Sequence, residues 1–147
     1  KLQDRAKNEG LDNVIFHDPV EKRRLAGLYG SADLGMQILA NIPAFYYGTS
    51  PNKFFDYISA ELPVLINYPG WLADLVSHYK CGLVIPPEDP VAFADALEKG
   101  ESDRSLLKKM GKKGGKMAEA HFNRATLADQ WVDVLECAWT ENLRSVN

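Results

Sequence analysis

The sequence predicts an α/β protein in which helices wind around a parallel, Rossmann-like sheet. Short apolar segments of strand length alternate along the chain with longer segments of helical period. The apolar segments are hydrophobic at nearly every position, which is typical of strands that are buried on both faces of a parallel sheet. Proline or glycine stands at several junctions between the two kinds of segment. We therefore expect one domain over residues 1–147.

The first elements follow from helix and strand signals near the start of the chain. Residues 1–9 predict a helix that ends at Gly10, and the apolar triplet 14–16 predicts a strand. Asp18 then supplies an N-cap, Pro19 a first-turn proline and Glu21 a capping-box acid for a second helix.

The second helix and the strand after it complete this part of the prediction. Leu25, Leu28 and Tyr29 share one side of the helix. Residues 33–39 predict the next strand, and a loop from 41 to 49 follows it.

The helix predicted over residues 51–61 has the clearest start signal in the chain. Ser50 is the expected N-cap, and Pro51 occupies the first helical position, where its missing N–H group costs nothing. Phe54, Ile58 and Leu62 fall four residues apart and predict a buried side.

A second side of this helix carries polar groups of three kinds. Asn52, Lys53 and Asp56 place an amide, a cation and a carboxylate within one turn of each other. The N-terminus of a helix in an α/β unit binds anions, and an acid one turn deeper suits a ribose hydroxyl. These residues therefore predict a nucleotide or nucleotide-sugar site.

The remaining elements continue the alternation of strand and helix. Asp89 caps the helix that follows the last strand. The predicted segments are a strand over 63–67, a helix over 70–79, a strand over 81–85, the Asp89-capped helix, and helices over 103–120 and 124–143.

Composition narrows the function classes. The formal net charge of −3 gives no global attraction to nucleic acid or to anionic membranes. Cys81 and Cys137 are far apart and lack metal-ligand spacing, so we expect reduced, structural thiols in a cytoplasmic protein. No signal peptide and no apolar run near the roughly 18 residues of a membrane span are found. The polar start at Lys1, without methionine, predicts that the chain is a fragment.

Five segments, in order, resemble the C-terminal domain of GT-B retaining glycosyltransferases of the group 1 type. They are residues 13–20 (NVIFHDPV), 28–33 (LYGSAD), 50–57 (SPNKFFDY), 81–90 (CGLVIPPEDP) and 110–111 (MG). Residues 68–74 (YPGWLAD) are most similar to bacterial enzymes related to the L-fucosaminyltransferases of O-antigen and capsule synthesis. The fold class implied is a partial C-terminal domain of a GT-B fold.

The resemblance also implies site residues. The family places two glutamates eight positions apart, and the second holds the ribose; Asp56 occupies that position here, whereas Gly48 replaces the first acid. Thr49, Ser50, Pro51, Asn52 and Lys53 would then meet the diphosphate and sugar at the helix start. His17 and Asp18 lie in the segment that resembles the family's uracil-contacting loop, with His17 in place of a glycine.

The implied reaction is sugar transfer by a hexosyltransferase-type enzyme from a UDP-sugar, plausibly an N-acetyl-deoxyhexosamine, to a glycan or polyprenyl-linked acceptor with retention. UDP-sugar is a substrate, and the resemblance implies no cofactor and no metal. It places the catalytic acid–base groups outside this chain, and it implies two missing strand–helix units and a missing N-terminal domain. We therefore expect this chain alone to be inactive, with residues 34–39 as an exposed sheet edge.

Other charged and aromatic groups have both a structural and a functional interpretation. His78 and His121 come late in helices, where a structural role is expected. Gly111, Gly114 and Gly115 lie in a helix and predict either fraying or tight packing. A basic face on that helix predicts a solvated surface or, alternatively, peripheral contact with anionic lipid at the inner membrane face. Its members are Lys108, Lys109, Lys112, Lys113 and Lys116.

The last helix, over 124–143, carries an apolar stripe that predicts either core packing or a seam with the missing N-terminal domain. The stripe consists of Leu127, Trp131, Val134, Leu135 and Ala138. Trp139 would be exposed in this chain.

Two rival functions remain at this stage. A nucleotide-sugar epimerase shares the architecture but would carry acids and histidines around the reacting sugar. A non-catalytic α/β module, such as a receiver-like domain, would need an acidic pair after its first strand, and Asp18 alone does not supply it. Fold alone does not choose between these functions, and the residues from Ser50 to Asp56 favour the transferase.

Overall fold

The computed structural model describes residues 1–145, and the side chains as far as residue 140. Its centre is a three-stranded parallel sheet in the order β1-β2-β3. The strands are β1 (Gly35–Gln37), β2 (Val64–Ile66) and β3 (Gly82–Val84). Leu65 of β2 lies opposite Met36 of β1 and Leu83 of β3. The α/β class and the parallel sheet predicted from the sequence are confirmed.

Helices connect and cover the strands. The bounds are α1 (Leu2–Asn8), α2 (Lys22–Gly30), a short 3₁₀ helix (Pro43–Phe45), α3 (Asn52–Ser59), α4 (Trp71–Tyr79), α5 (Pro90–Ser102), α6 (Arg104–His121) and α7 (Arg124–Ser145). Most lie within a few residues of the predicted segments. Gly10 has the positive φ, +67°, that a glycine after a helix end commonly adopts.

The core forms around β2 and α3. Every residue of β2 is buried, and Phe54 and Ile58 of α3 are completely inaccessible to solvent. Val76 of α4 and Met117 of α6 belong to the same cluster. The predicted buried side of α3 is therefore confirmed, and it positions the polar side at the surface.

The glycines of α6 allow this helix to approach α3 very closely. A Cβ atom added at Gly111 would lie 1.9 Å from the carbonyl oxygen of Glu61, and one at Gly114 would lie 3.5 Å from Ile58. Gly111 and Gly114 are buried. Of the two sequence interpretations, tight packing is confirmed and fraying is wrong.

Residues 14–16 do not form the predicted strand. Val14, Ile15 and Phe16 are all exposed, and the N–H of Val14 donates to the carbonyl of Leu11 in a local turn. A strand needs a neighbour for its ladder hydrogen bonds, and none of the described strands pairs with this segment.

The exposed sheet edge predicted for residues 34–39 is confirmed, since β1 ends the described sheet and Met36 is 44% exposed.

Two predicted N-caps are wrong and one is confirmed. α2 begins only at Lys22, so Asp18 and Pro19 lie before it and make no cap. α3 begins at Asn52 with Pro51, not Ser50, in the N-cap position, because the carbonyl of Pro51 already accepts the N–H of Phe54. Asp89 does cap its helix: its Oδ1 accepts the N–H of Ala92 at 2.8 Å.

The apolar side of α2 packs less well than its pattern predicts. Leu25 and Tyr29 are half-buried, and Leu28 is exposed. The ring of Tyr29 meets that of Tyr57 edge-to-face, with centroids 5.3 Å apart. This aromatic pair is one of the contacts between α2 and α3.

The stripe on α7 is not part of the core. Leu127, Trp131, Val134 and Leu135 are all exposed, and so is Trp139, as expected. The alternative interpretation, a seam with another domain, stays a prediction.

None of the helices in the described part of the chain is both long and apolar enough to cross a membrane.

The two cysteines differ in their exposure to solvent. Cys81 is fully buried, and burial raises the pKa of its thiol to about 11. Cys137 is exposed on α7. The structural interpretation therefore holds for Cys81 and is wrong for Cys137, because the side chains of α7 from 124 to 140 are all exposed.

Candidate functional site

The candidate site begins where the chain leaves β1 at the carboxyl edge of the sheet. Asn67, which directly follows β2, is buried and binds the backbone of Leu39 twice. Its Oδ1 accepts the Leu39 N–H at 2.8 Å, and its Nδ2 donates to the Leu39 carbonyl at 2.9 Å. The side chain thus continues the pairing of β1 and β2 and fixes the start of the loop that leads to α3.

The end of the same loop is held by α4. The indole Nε1 of Trp71 donates to the carbonyl of Thr49 at 3.0 Å, and the Thr49 hydroxyl donates to the carbonyl of Phe45. Gly70 has φ +117°, and a Cβ atom there would lie 2.4 Å from the carbonyl oxygen of Tyr46. The path through Gly48, Thr49 and Ser50 is therefore set by contacts to the start of α4.

The N-terminus of α3 is open to a ligand. The backbone N–H groups of Asn52 and Lys53 donate to no atom of the described residues, and no side chain caps the helix. Both side chains are exposed. Free N–H groups at the positive end of the helix dipole, together with the ammonium group of Lys53, favour an anion here.

Asp56 lies one turn deeper and is half-buried. It lines a groove of about 430 Å³ between α2 and α3, together with Lys22, Leu25, Tyr29 and Ser59. Within the described residues its carboxylate makes no hydrogen bond and no ion pair. Asp56 pairs with neither Lys53 nor Asn52, and its oxygens can accept hydrogen bonds from a ligand.

Acidic and basic side chains both lie near Asp56. Burial, followed by the neighbouring Tyr29 and Asp56, raises the pKa of Tyr57. Asp56 also borders a second cavity of about 680 Å³, where Lys116 and Arg124 supply cations. The Asp56 carboxylate therefore borders two cavities, the groove between α2 and α3 and this second cavity.

The structure does not bring every predicted residue to this groove. Among the predicted site residues, Asp56 alone lines the groove. Gly48 to Lys53 lie on the loop and helix start before it, and His17 and Asp18 lie in the exposed segment before α2. Their predicted contact with a base stays a prediction. His121 accepts or donates one hydrogen bond with Tyr79, at 2.8 Å, in keeping with its structural interpretation.

Three residues that sequence reasoning missed help to build the site. Asn67 and Trp71 hold the two ends of the loop, and Lys22 lines the groove beside Asp56. A buried amide directly after an apolar strand is a signal that could have revealed Asn67.

In the part of the chain that the structure describes, no group of three or more His, Cys, Asp or Glu residues could hold a metal ion.

We expect Trp71→Phe to loosen the loop and leave the fold intact. Phenylalanine keeps an aromatic ring in the contact with Phe55 and removes only the N–H donor to Thr49. Losing one hydrogen bond costs about 0.5–1.5 kcal/mol. Backbone ¹⁵N order parameters should fall at residues 48–50 and stay unchanged in β2. Equal order parameters in both proteins would contradict a holding role for this bond.

A parallel sheet wound by helices, with a helix N-terminus near the carboxyl ends of the strands, is typical of Rossmann-like α/β domains. Residues 1–117 match the family of glycosyl transferases group 1, and the chain belongs to this family.

Two curated relatives carry the same name, D-inositol 3-phosphate glycosyltransferase. The protein from Xylanimonas cellulosilytica is 34% identical over 91 residues, which is 58% of this chain and 19% of the relative. The protein from Streptomyces avermitilis is 27% identical over 151 aligned residues, which cover 99% of this chain and 30% of the relative. The chain thus spans less than a third of the length of either relative. Neither name mentions L-fucosamine, so that part of the resemblance stays a prediction.

Among solved structures, sucrose-phosphate synthase from Thermosynechococcus elongatus has a similar fold. The TM-score is 0.80 at 22% identity, over 95% of this chain and 34% of that protein. This likeness confirms the fold class, that of the C-terminal domain of GT-B glycosyltransferases.

Proposed function

We propose that this chain is the donor-binding domain of a glycosyltransferase and holds a UDP-sugar beside α3. The intact enzyme transfers the sugar, an N-acetyl-deoxyhexosamine in the narrowest form of the proposal, to a glycan or polyprenyl-linked acceptor with retention. It works in the cytoplasm, where nucleotide sugars are the donors. Family membership and the geometry around Asp56 support this proposal.

The single observation that carries the proposal is the free carboxylate of Asp56 in the groove between α2 and α3. A half-buried carboxylate without a protein partner leaves its oxygens open to the hydrogen-bond donors of a ligand. The two hydroxyl groups of a ribose are suitable donors. In our proposal they bind Asp56, and the base extends along the groove toward the start of α2 and the segment with His17 and Asp18.

The diphosphate lies at the N-terminus of α3 in this arrangement. The free N–H groups of Asn52 and Lys53 and the ammonium group of Lys53 face it, while Thr49, Ser50 and Pro51 carry the backbone that approaches the sugar. Gly48, at the position of the family's first acid, leaves room beside the sugar, because an added Cβ atom there would meet nothing within 4 Å.

These groups would act on the leaving group. Breaking the bond between sugar and diphosphate builds negative charge on the phosphate oxygens, and fixed N–H donors and a cation at that point lower the barrier. The acceptor and the groups that move its proton belong, in this proposal, to parts of the enzyme outside this chain.

Calorimetric titration of the chain with UDP and with uridine tests the proposal. We expect saturable binding of UDP and at least about tenfold weaker binding of uridine, since charge-assisted hydrogen bonds to the diphosphate contribute roughly 1.5–3 kcal/mol each. Inorganic diphosphate serves as a control for unspecific attraction of anions. Equal affinity for UDP and inorganic diphosphate would contradict a nucleotide site.

A further inference from the structure

Positive charge is concentrated on α6. This helix carries six Lys and Arg residues and one Glu, although the whole chain has a formal net charge of −3. Its five lysines are exposed, and in the described part of the chain none of them lies within 4 Å of a carboxylate. These ammonium groups are therefore available to a ligand.

Two of the lysines border a cavity that shares no lining residue with the groove at Asp56. The cavity has a volume of about 380 Å³ and lies between the last turn of α4, the start of β3 and the first half of α6. Lys80, Lys109 and Lys113 bring three cations to it, and Ser77 adds a hydroxyl group. Its other lining residues are uncharged: Val76, Gly82, Leu106 and Met110.

The backbone conformation of Lys80 is unusual for a lysine. It follows α4 with φ +53° and ψ +44°, a left-handed conformation in which glycine is the usual residue. A lysine at this position places a cation on the α4 side of the cavity, opposite the two lysines of α6.

Asp103, the N-cap of α6, is an acid whose charge reaches Lys109 but which does not line the cavity. Hydrogen bonds from the Leu106 N–H and the Ser105 hydroxyl, and to a smaller extent the charge of Lys109, lower the pKa of Asp103. This carboxylate caps α6 and makes no ion pair with Lys109. The lining of the cavity therefore holds three cations and no carboxylate.

We propose that Lys80, Lys109 and Lys113 form a second site, which binds the phosphate of a phosphorylated ligand whose apolar part covers Leu106 and Met110. Ammonium groups bind phosphate oxygens by charge-assisted hydrogen bonds. The same chemistry is offered by the headgroup of an anionic lipid and by a free organic phosphate. The site is separate from the groove at Asp56 and does not depend on the donor proposed for it.

The test compares two double variants of equal charge. Lys109→Gln with Lys113→Gln removes two cavity lysines; Lys108→Gln with Lys112→Gln removes two lysines of the same helix that do not line the cavity. The probes are dihexanoyl phosphatidylglycerol below its micelle concentration, inorganic phosphate, and vesicles of phosphatidylglycerol with phosphatidylcholine. Vesicles of phosphatidylcholine alone are the blank, and amide spectra confirm that each variant is folded.

We expect the cavity variant to bind at least about tenfold more weakly and the control variant to change by less than about threefold, because only the cavity lysines contact the phosphate. If this difference appears with vesicles, the ligand is a lipid headgroup; if it appears with soluble phosphates alone, the ligand is a free phosphate. Equal loss in both variants would show diffuse attraction by the helix and overturn the proposal. Absence of saturable binding to every probe would overturn it as well.

Discussion

Gly111→Ala should destabilise the protein more than any other single methyl addition on α6. The added Cβ atom would lie 1.9 Å from the carbonyl oxygen of Glu61 and 3.3 Å from Pro63. The carbonyl is backbone and cannot rotate away, so α6 must move off the junction of α3 and β2. Overpacking of this kind costs about 1–3 kcal/mol or more, and the alanine gains only about 1 kcal/mol in helix propensity.

We expect a net loss of about 2 kcal/mol in the free energy of unfolding, seen as a lower midpoint in urea. Gly114→Ala is the control on the same helix, because its nearest contacts at 3.5 Å are ordinary. Gly27→Ala, with nothing within 4 Å, should stabilise α2 by up to about 1 kcal/mol. An unchanged midpoint for Gly111→Ala would contradict the close contact between α6 and residue 61.

Asp56→Asn should weaken UDP binding and leave stability almost unchanged. The amide has the shape of the carboxylate and removes its charge, so it loses the charge-assisted hydrogen bonds to the ribose. Such bonds contribute about 1.5–3 kcal/mol, which corresponds to roughly 10–100-fold in the dissociation constant. Because Asp56 has no partner among the described residues, the fold loses no hydrogen bond or ion pair.

Asp95→Asn is the matched control for this variant. Asp95 is an exposed acid on α5, and its replacement changes the net charge by the same amount. We expect its affinity for UDP to equal that of the unmodified chain. If both variants lose affinity equally, the effect comes from net charge and Asp56 is not a ribose ligand. Thermal unfolding without UDP checks that all three proteins are equally folded.

The parts of the fold that local chemistry determines were predictable from the sequence. Pro63 and three apolar residues mark β2, and the Asp89-Pro90 pair marks the start of α5 within one residue. These signals act within a few positions of the chain. By contrast, residues 14–16 carry the composition of a strand and fail to become one, since pairing depends on a neighbour that local sequence does not supply.

The candidate site was predictable in its chemistry and only partly in its construction. The polar side of α3 was visible from spacing, and the structure gives Asp56 the free, half-buried position that a ligand requires. The bonds of Asn67 to Leu39 and of Trp71 to Thr49 join residues 28 and 22 positions apart, so periodicity could not reveal them. Ser50 does not cap α3, because the first helical hydrogen bond runs from the Phe54 N–H to the carbonyl of Pro51.

The measurement that tests the central claim most directly is an NMR titration of the isotope-labelled chain with UDP. The account predicts saturable shifts at residues 49–56 and along α2 from Lys22 to Tyr29, and these shifts saturate at lower UDP concentration than any shifts around Lys80, Lys109 and Lys113. Shifts confined to these three lysines, or an unchanged spectrum around Asp56 at saturating UDP, would contradict a donor site beside α3.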